Sequence, residues 1–178
     1  MRFERVDQRD CAAIAAVIGD AFSGPPWNED WSDEARLLQY VGEGLEGSNA
    51  LAFALVDGQE FAAVVMGHVR HWHNRTEYII EDVAVRRVQQ GRGLGTALMT
   101  QVLSASRELG VDEVGLRTRR DAAAYNFYQK LGFSEQEKDV YHYEIHIKEN
   151  LSPIFVDEHQ PWLMRMKAVY ESYGKKCE

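Results

Sequence analysis

The fold of this chain is decided by residues 83–98, which read VAVRRVQQGRGLGTAL. A strand-like apolar pattern ends at Val85, three glycines follow within five residues, and a helical pattern begins at Leu94. The glycines let the backbone turn sharply and leave no Cβ in the way of an incoming group. The first N–H groups of the helix have no intrahelical acceptor, and the helix dipole makes that end positive, so the segment predicts an anion site, most simply for phosphate. Three arginines add positive charge to it: Arg86, Arg87 and Arg92.

Two other glycine motifs do not fit this segment. A P-loop closes with Gly-Lys-Ser or Gly-Lys-Thr, which is absent here. A dinucleotide fingerprint has the spacing G-x-G-x-x-G in the first βαβ unit, with an acidic residue about 20 positions later. The spacing here is Gln90-x-x-Gly93-x-Gly95, in the middle of the chain. An ordinary strand-to-helix connection remains the alternative for one glycine-rich turn.

This spacing after a strand resembles the acetyl-CoA signature of the GNAT family of N-acetyltransferases. A second segment, residues 124–133, reads AYNFYQKLGF and is similar to that family's A-x-x-F-Y-x-K-x-G-F helix. The two segments occur in the family's order, separated by one predicted helix and one predicted strand. The resemblance covers about residues 1–147 and leaves the last part of the chain outside it.

Composition limits the remaining classes of protein. The chain has 178 residues, 45% of them hydrophobic, which suits one domain with a sizeable core. Its net charge of −8 argues against nucleic-acid binding. Its apolar runs are shorter than the ~18 residues of a membrane span, and its N-terminus lacks the apolar region of a secretory signal. Cys11 and Cys177 form no disulfide framework, so a cytoplasmic protein is expected.

The charges are distributed unevenly along the chain. Residues 20–60 contain nine acids and one base, whereas residues 86–107 contain four arginines and no acid. One region therefore suits a cation and the other a polyanion, although solvated helix faces explain many of the acids equally well. His71 and His73 have strand spacing, but no third ligand lies nearby in sequence, so no metal is predicted.

The predicted elements are a strand, two helices, three antiparallel strands, a helix, a strand, a helix and two strands. This order predicts an α/β fold with a mixed, mostly antiparallel central sheet flanked by helices, and it is also the order of the GNAT family. The strands are predicted near residues 2–6, 51–56, 61–72, 77–85, 111–118, 133–138 and 140–147. The helices are predicted near residues 14–22, 32–44, 93–109 and 122–131.

Residues 1–148 are expected to form the acetyltransferase domain, and residues 149–178 a C-terminal extension with one amphipathic helix after Pro161. The apolar stripe of that helix needs a partner surface, which is either the domain itself or a second subunit, as in a homodimer. Asp121 is predicted to cap the helix at 122–131. The family pattern often has Asn where this chain has Asp121, which puts one polar contact to the cofactor in question.

The predicted central strand contains two adjacent carboxylates, Glu81 and Asp82, just before its apolar end. Strict alternation of side chains predicts that Glu81 shares a face with Val83 and Val85 and that Asp82 lies on the other face. Carboxylates in the middle of a sheet are uncommon without a reason. These two residues are therefore candidates for the chemistry.

The loop after the first helix combines aromatic and acidic residues: Trp27, Glu29, Asp30 and Trp31. Such residues suit an amine with an apolar body, although the tryptophans could equally form the lid of a small core. In the GNAT family, this loop often lines the acceptor site. Some aminoglycoside 6'-acetyltransferase-like members carry a similar Pro-Trp-x-Glu segment. The resemblance therefore implies that these four residues, with Asp82, bind the acceptor.

The resemblance also implies a cofactor, acetyl-CoA, and the residues that hold it. The backbone of Val83, Ala84 and Val85 would pair with the pantetheine, and Asn126 and Tyr128 would face the cofactor. Seven backbone groups would hold the pyrophosphate: Gln90, Gly91, Arg92, Gly93, Leu94, Gly95 and Thr96.

Acetyl transfer requires a base, because an amine attacks only in its neutral form. An alkylamine has a pKa of roughly 10.4, so only about one molecule in a thousand is neutral near pH 7.4. Glu81 is predicted as this base, with Asp82 as the second candidate. Tyr128 resembles the family's tyrosine near the CoA sulfur, whose hydroxyl can protonate the leaving thiolate; core packing is the alternative. Backbone N–H groups near Val83 and Val85 could stabilise the oxyanion.

The sequence therefore predicts an acetyl-CoA-dependent N-acetyltransferase acting on a primary amine, preferably a small cationic one that is aminoglycoside- or polyamine-like. Acetylation of a protein lysine or N-terminal amine uses the same cofactor motifs and is not separated from it by sequence. A non-catalytic acyl-CoA-binding module is the third hypothesis, against which the presence of both Glu81 and Tyr128 argues.

Overall fold

The computed structural model describes residues 1–135 of the chain. Its strands are β1 (Arg2–Val6), β2 (Ala50–Asp57), β3 (Glu60–His71), β4 (Thr76–Val85) and β5 (Glu113–Leu116). Its α-helices are α1 (Cys11–Phe22), α2 (Glu34–Gly44), α3 (Leu94–Glu108) and α4 (Ala123–Lys130). Short 3₁₀ helices at Gln8–Asp10 and Arg87–Gln89 precede α1 and the glycine-rich loop.

The strands form one mixed sheet in the order β1-β2-β3-β4-β5. The first four strands pair antiparallel, and β5 pairs parallel to β4. The predicted mixed, mostly antiparallel sheet flanked by helices is therefore confirmed. The last two predicted strands lie mostly beyond the described residues, as does the whole 149–178 extension, so its helix and the homodimer stay predictions.

Apolar side chains fill both faces of the sheet, because the strands alternate between two clusters. On one face, Ile14 and Ile18 of α1 and Val41 of α2 pack with Ala54 and Val64 of the sheet. On the other face, α3 covers a second cluster built from β2, β3 and β4: Leu51, Phe53, Leu55, Ala63, Val65, Tyr78 and Ile80. The acceptor loop, which we define as residues 23–32, therefore lies at the α1–α2 face, and the glycine-rich loop leads into α3 on the other.

Aspartate side chains cap two of the helix starts, and the one cap predicted above is not formed. Asp7 caps the 3₁₀ helix before α1 by accepting the backbone N–H of Arg9 at 2.9 Å. Asp33 caps α2 by accepting the N–H of Arg36 at 3.1 Å. The predicted cap by Asp121 is wrong, because α4 has no side-chain cap and the Asp121 carboxylate binds the Arg119 guanidinium at 2.6 Å instead.

The parallel pairing of β4 with β5 ends well before β4 does. Register partners run from Glu77 opposite Glu113 to Ile80 opposite Leu116. β4 continues for five more residues, Glu81–Val85, which β5 does not accompany. The two strands thus part at their carboxyl ends, as the family resemblance implies.

A β-bulge in β4 changes which side chains face α2. Met66 of β3 pairs with Asp82, but its neighbour Gly67 pairs with Ile80, so Glu81 is the extra residue. Glu81 Oε2 lies 4.0 Å from the position that a Cβ on Gly44 of α2 would occupy. The predicted placement of Glu81 on the face of Val83 and Val85 is therefore wrong, because the bulge puts Glu81 and Asp82 on the α2 side together.

Candidate active site

The glycine-rich loop forms an open cradle at the start of α3. Gly91 and Gly93 have φ angles of 73° and 81°, in the left-handed region, and a Cβ on either would meet no atom within 4 Å. The Ala97 N–H bonds the Gly93 carbonyl oxygen at 3.0 Å, so the preceding N–H groups at the helix start have no intrahelical acceptor. Backbone donors and open space coincide here, which fits a pyrophosphate group.

Two of the three arginines that were expected to add charge to this cradle are engaged with other protein groups. The Arg86 Nε donates to the Phe61 carbonyl oxygen at 2.7 Å. The Arg87 backbone N–H donates to Asp20 Oδ2 at 2.7 Å, and its guanidinium contacts the same carboxylate at 3.3 Å. A Cβ on Gly24 of the acceptor loop would lie 3.2 Å from Arg87 Cδ. These contacts fix the end of α1 against the turn that precedes the cradle.

Gln90, the first residue of the sequence signature, closes the loop back onto the end of β4. Its side-chain amide donates to the Val85 carbonyl oxygen at 2.9 Å. A carbonyl oxygen has two lone pairs, so Val85 keeps the capacity to accept a further bond. This bond explains why a residue with an amide or similar donor is useful at that position of the signature.

α4 borders the cradle through its aromatic residues. A Cβ on Gly95 would lie 3.3 Å from Phe127 Cζ, so α3 and α4 approach closely at this point. Asn126 on α4 is exposed. Tyr128 is partly buried, and its ring centroid lies 5.0 Å from that of Phe127. Phe127 of α4, which lies between the two predicted cofactor-facing residues in sequence, thus contacts the start of α3, and the roles of Asn126 and Tyr128 stay predictions.

Asp82 is a buried carboxylate on the acceptor side of the sheet. It is 8% exposed and accepts a hydrogen bond from the Tyr40 hydroxyl of α2 at 2.7 Å. Burial raises its pKa, the Tyr40 bond opposes this, and the charges of Glu81 and Glu29 raise it further, to about 6. A carboxyl group with this pKa is ionised at neutral pH and takes up a proton readily just below it.

Glu81 lies beside Asp82 but in a wetter environment. Its side chain is 44% exposed, and its Oε1 lies 3.2 Å from Nδ1 of His68 on β3. Gly44 leaves room on α2 for the Met66 side chain of β3, since a Cβ there would lie 3.1 Å from Met66 Cε, and Glu81 lies at ordinary contact distance from the same point. The two carboxylates therefore differ in burial and in partner, which suits them to different tasks.

Part of the acceptor loop reaches this pair of carboxylates. The Trp31 indole N–H donates to Glu29 at 2.7 Å, and the Trp31 ring lies 5.1 Å from the Tyr40 ring. The negative charge of Glu29 contributes to the raised pKa of Asp82. Glu29, Trp31 and Asp82, three of the predicted acceptor-binding residues, are thus brought together around Tyr40.

The other two predicted loop residues make local contacts. Trp27 packs edge-on against Phe22 of α1, with 5.9 Å between ring centroids. Asp30 is exposed and accepts the backbone N–H of Ser32 at 3.1 Å, and its bonds with Ser32 lower its pKa. These contacts order the loop, and a role for Trp27 and Asp30 toward the acceptor stays a prediction.

Tyr128 connects the cofactor side with the acidic side. Burial is the main cause that raises its pKa, to about 12, and the charge of Asp82 adds to it. The hydroxyl is therefore protonated at neutral pH and lies within electrostatic range of Asp82. Tyr128 therefore interacts electrostatically with Asp82, and its role as a proton donor stays a prediction.

Tyr40 and His68 are the residues of this region that the sequence motifs did not reveal. Tyr40 follows Leu37 by three residues and precedes Gly44 by four, so helical spacing puts it beside the buried stripe of α2. This spacing alone does not indicate a role for Tyr40, because the role depends on the packing of α2 over Asp82. His68 carried no signal of its own, because its contact depends on the bulge at Glu81.

His71 and Trp72 make local contacts at the turn between β3 and β4. His71 Nδ1 lies 3.2 Å from the Thr76 hydroxyl, and the guanidinium carbons of Arg70 and Arg75 lie 4.8 and 5.4 Å from the Trp72 ring. Within residues 1–135, no group of three or more metal-ligating side chains is assembled. In the same part of the chain, no helix has the length and apolar character needed to cross a membrane.

A mixed sheet whose fourth and fifth strands part beside a glycine-rich helix start is the arrangement of the GNAT class of acetyltransferases. The chain belongs to that family: the model described as the acetyltransferase (GNAT) family matches residues 13–133.

Two relatives and one solved structure of the same fold illustrate the range of similar proteins. A mycothiol acetyltransferase of Tsukamurella paurometabola is 32% identical over an alignment of 150 positions, which covers 74% of this chain and 47% of that protein. The chain therefore spans about half the length of that relative. The L-amino acid N-acyltransferase MnaT of Escherichia coli is 27% identical over 75% of this chain and 78% of its own length. An aminoglycoside acetyltransferase from an uncultured soil metagenomic sample, solved with sisomicin, has the same fold, with a TM-score of 0.64, 19% identity, and coverage of 82% of this chain and 95% of its own.

Proposed function

We propose that this protein is an acetyl-CoA-dependent N-acetyltransferase that transfers an acetyl group directly to a primary amine, preferably a small cationic one. The observation that carries the proposal is the placement of Glu81 and Asp82 together on the α2 side of β4, where that strand parts from β5. Two acids beside an opening in the sheet suit a cationic amine that must lose a proton.

The described residues fit the proposed cofactor. The exposed glycines at 91 and 93 and the free N–H groups at the start of α3 suit the pyrophosphate. The carboxyl-terminal half of β4, Val83–Val85, offers backbone groups on the side that β5 does not cover. When bound, acetyl-CoA would supply the acetyl group as a reactive thioester. Asn126 and the remaining loop residues, from Gln90 to Thr96, complete the proposed site.

Proton transfer is assigned to two groups on opposite sides of the opening. We assign the base to Glu81, with Asp82 as the second candidate, since both carboxylates lie at the acceptor side. The ammonium group of the acceptor has a pKa of roughly 10.4 and is therefore charged when it binds. A carboxylate base attracts this cation as well as accepting its proton. Tyr128 is protonated at neutral pH, so its hydroxyl is available as a donor to the leaving thiolate.

A cationic acceptor is supported by the charges around Tyr40. In addition to burial, the charges of Glu81 and Glu29 both raise the pKa of Asp82, and all three carboxylates raise the pKa of Tyr40. The rings of Trp31 and Tyr40 lie 5.1 Å apart. A cation gains from both carboxylates and aromatic faces. Trp27 and Asp30 are assigned to the same acceptor loop. An aminoglycoside or a polyamine has this chemistry, and a neighbouring fold was solved with the aminoglycoside sisomicin.

The test is release of free thiol from acetyl-CoA in the presence of polyamines, aminoglycosides, amino acids or a lysine peptide. We expect turnover with a polycationic small molecule and little with neutral amino acids at equal concentration. Turnover of the lysine peptide alone would favour a protein acceptor instead. Binding of acetyl-CoA without turnover of any amine would favour a non-catalytic module, and absence of binding would contradict the whole proposal.

The assignment of the base is tested by Glu81→Gln. This variant should lower kcat by about 100-fold or more and leave the Kd of acetyl-CoA within twofold of wild type, because the side chain lies on the acceptor side. Asp82→Asn, measured in parallel, separates the two candidates. An unchanged kcat in Glu81→Gln would remove Glu81 as the base.

A further inference from the structure

Tyr40 makes contacts that connect three parts of the chain on the acceptor side of the sheet. Its hydroxyl donates to Asp82 Oδ2 at 2.7 Å, and its ring lies 5.1 Å from the ring of Trp31. The Trp31 indole N–H in turn donates to Glu29 at 2.7 Å. A continuous series of contacts thus runs from β4, through α2, to the acceptor loop. Tyr40 lies outside both sequence signatures of the family.

The bond from Tyr40 determines which oxygen of Asp82 stays available. Within residues 1–135, Asp82 Oδ2 accepts the Tyr40 hydroxyl, and Oδ1 has no hydrogen bond or ion pair. A carboxylate that is 8% exposed and bonded through one oxygen cannot rotate freely, since rotation would break the bond and leave both oxygens without a partner. Oδ1 is therefore the oxygen left for an incoming ammonium group.

We propose that Tyr40 is a positioning residue of the acceptor site: it orients the Asp82 carboxylate toward the amine and forms, with Trp31, the aromatic wall beside the cation. This inference rests on the proposed function, because it assigns Tyr40 a role toward the acceptor of that reaction. The Tyr40 hydroxyl is bonded to Asp82, and because the residue is 37% exposed, part of its side chain remains accessible to an acceptor. One residue thus supports both the charge and the apolar part of acceptor recognition.

The pH dependence follows from the groups around Asp82. Burial raises the pKa of Asp82 most, the Tyr40 hydrogen bond opposes the rise, and the charges of Glu81 and Glu29 add to it, giving about 6. Two further titratable groups lie near: Tyr128 of α4, and His68 of β3, which contacts Glu81. Loss of the Tyr40 hydroxyl removes the one contribution that lowers the pKa, so the pKa of Asp82 should rise. Asp82 attracts an ammonium only when ionised.

The experiment compares wild type with Tyr40→Phe, which keeps the ring and removes the hydroxyl. We expect the KM of the amine to rise about tenfold at pH 7.5, the loss typical of a charge-assisted contact. The acidic limb of kcat/KM for the amine should move up by about one pH unit, since hydrogen bonds to charged groups have about that effect on a pKa. The KM of acetyl-CoA should stay within twofold of wild type.

Tyr78→Phe is the matched control for a merely structural effect. The Tyr78 side chain is fully buried in the cluster on the α3 face of the sheet, whereas Asp82 faces α2, and the Tyr78 hydroxyl donates to the Leu51 carbonyl oxygen at 2.8 Å. Removal of the Tyr78 hydroxyl should lower Tm at least as much as Tyr40→Phe does. It should not move the acidic limb of the pH profile of kcat/KM for the amine. A Tyr40→Phe variant with lowered Tm but an unchanged limb and an unchanged KM of the amine would overturn the proposal.

A titration of the Asp82 carboxyl carbon by NMR separates this inference from the proposed function. The pKa should be higher in Tyr40→Phe than in wild type, and equal values would overturn the role of Tyr40. Assignment of the signal is checked with Asp82→Asn, in which it disappears. If wild type turns over no amine at all, the proposed function fails, and the titration still decides whether Tyr40 controls Asp82.

Discussion

Asp82 is the residue at which stability and function oppose each other. Its carboxyl group is almost completely buried, and its neighbours include two further acids, Glu81 and Glu29. Only one protein group, the Tyr40 hydroxyl, compensates for the lost hydration within the described part of the chain. A neutral side chain of the same shape at position 82 should therefore make the folded protein more stable. Such a gain on substitution is common at functional positions.

We expect Asp82→Asn to increase the free energy of unfolding by about 1–3 kcal/mol at pH 8. The pKa of Asp82 is raised in the folded protein, from 3.8 to about 6, so folding stabilises the protonated form. Wild type therefore loses stability as the pH rises from about 4 through about 6, and asparagine, which does not titrate, avoids this loss. Urea unfolding at pH 8 and pH 4 measures the difference.

The gain should shrink to about 0.5 kcal/mol at pH 4, where Asp82 is protonated in the folded state but only about two-fifths protonated in the unfolded state, and it should vanish near pH 3. Turnover of the amine should fall at least tenfold in the same variant. Equal stability of the two proteins at pH 8 would show that Asp82 is better solvated than its burial indicates.

At the scale of elements, the bulge between β3 and β4 decides which side chains face α2, the side of the sheet proposed for the acceptor. Without an extra residue, Ile80 and Asp82 would share a face, and Asp82 would point into the apolar cluster under α3. With Glu81 as the extra residue, Ile80 stays in that cluster and Asp82 turns to Tyr40 on α2. The bulge depends on Gly67, because the backbone of β4 passes directly over its Cα.

Gly67→Ala should destabilise the protein by about 3 kcal/mol and reduce acetyl transfer beyond the loss of folded protein. A Cβ at this position would overlap the Ile79 carbonyl oxygen and lie 2.8 Å from Ile80 Cα, so the strands must separate or the bulge must move. Chemical denaturation and the specific activity of the folded fraction measure the two effects.

Gly42→Ala in α2 is the control for this prediction. A Cβ there would lie 4.0 Å from Cys11 Sγ, an ordinary contact, and alanine favours a helix over glycine by roughly 1 kcal/mol. This variant should be as stable as wild type or more so. If Gly67→Ala behaved in the same way, the close approach of β3 and β4 would not be required for the site.

At the scale of the whole molecule, the sequence predicted the order of the described elements and the glycine-rich turn at the start of α3, because these depend on local patterns. The apolar periodicity of α3, the end of β4 at Val85 and the glycines at 91 and 93 each act within a few residues. The faces of Glu81 and Asp82 could not be predicted, since alternation is interrupted by a bulge that involves Gly67 on another strand. Tyr40 was missed for the same reason: its partner is 42 residues away in sequence.

Charge provides a prediction at this scale. The chain carries a net charge of −8, and Glu29, Glu81 and Asp82 concentrate negative charge at the acceptor side. For a polycationic acceptor, kcat/KM should therefore fall about three- to tenfold between 0.01 and 0.15 M salt, because the screening length shortens from about 30 to about 8 Å. Steady-state kinetics at several salt concentrations measure the slope.

A monoamine of similar shape is the control, since its smaller charge should give a shallower slope. Equal slopes for the two acceptors would contradict steering by the acidic side and would favour recognition by shape alone.

The contact between Asp20 and Arg87 has a consequence for how such a protein can diverge. Asp20, at the end of α1, holds the turn before the glycine-rich loop, and Gly24 leaves room for the Arg87 side chain. The acceptor loop and the glycine-rich loop are therefore linked by contacts through Arg87, and a substitution at one of these positions constrains the others. Lineages that replace Arg87 should lose the acid at position 20 as well, and only those lineages should tolerate a larger residue at position 24. A substitution at position 24 of the acceptor loop that changes the acceptor would thus be accompanied by a substitution at position 87, just before the glycine-rich loop.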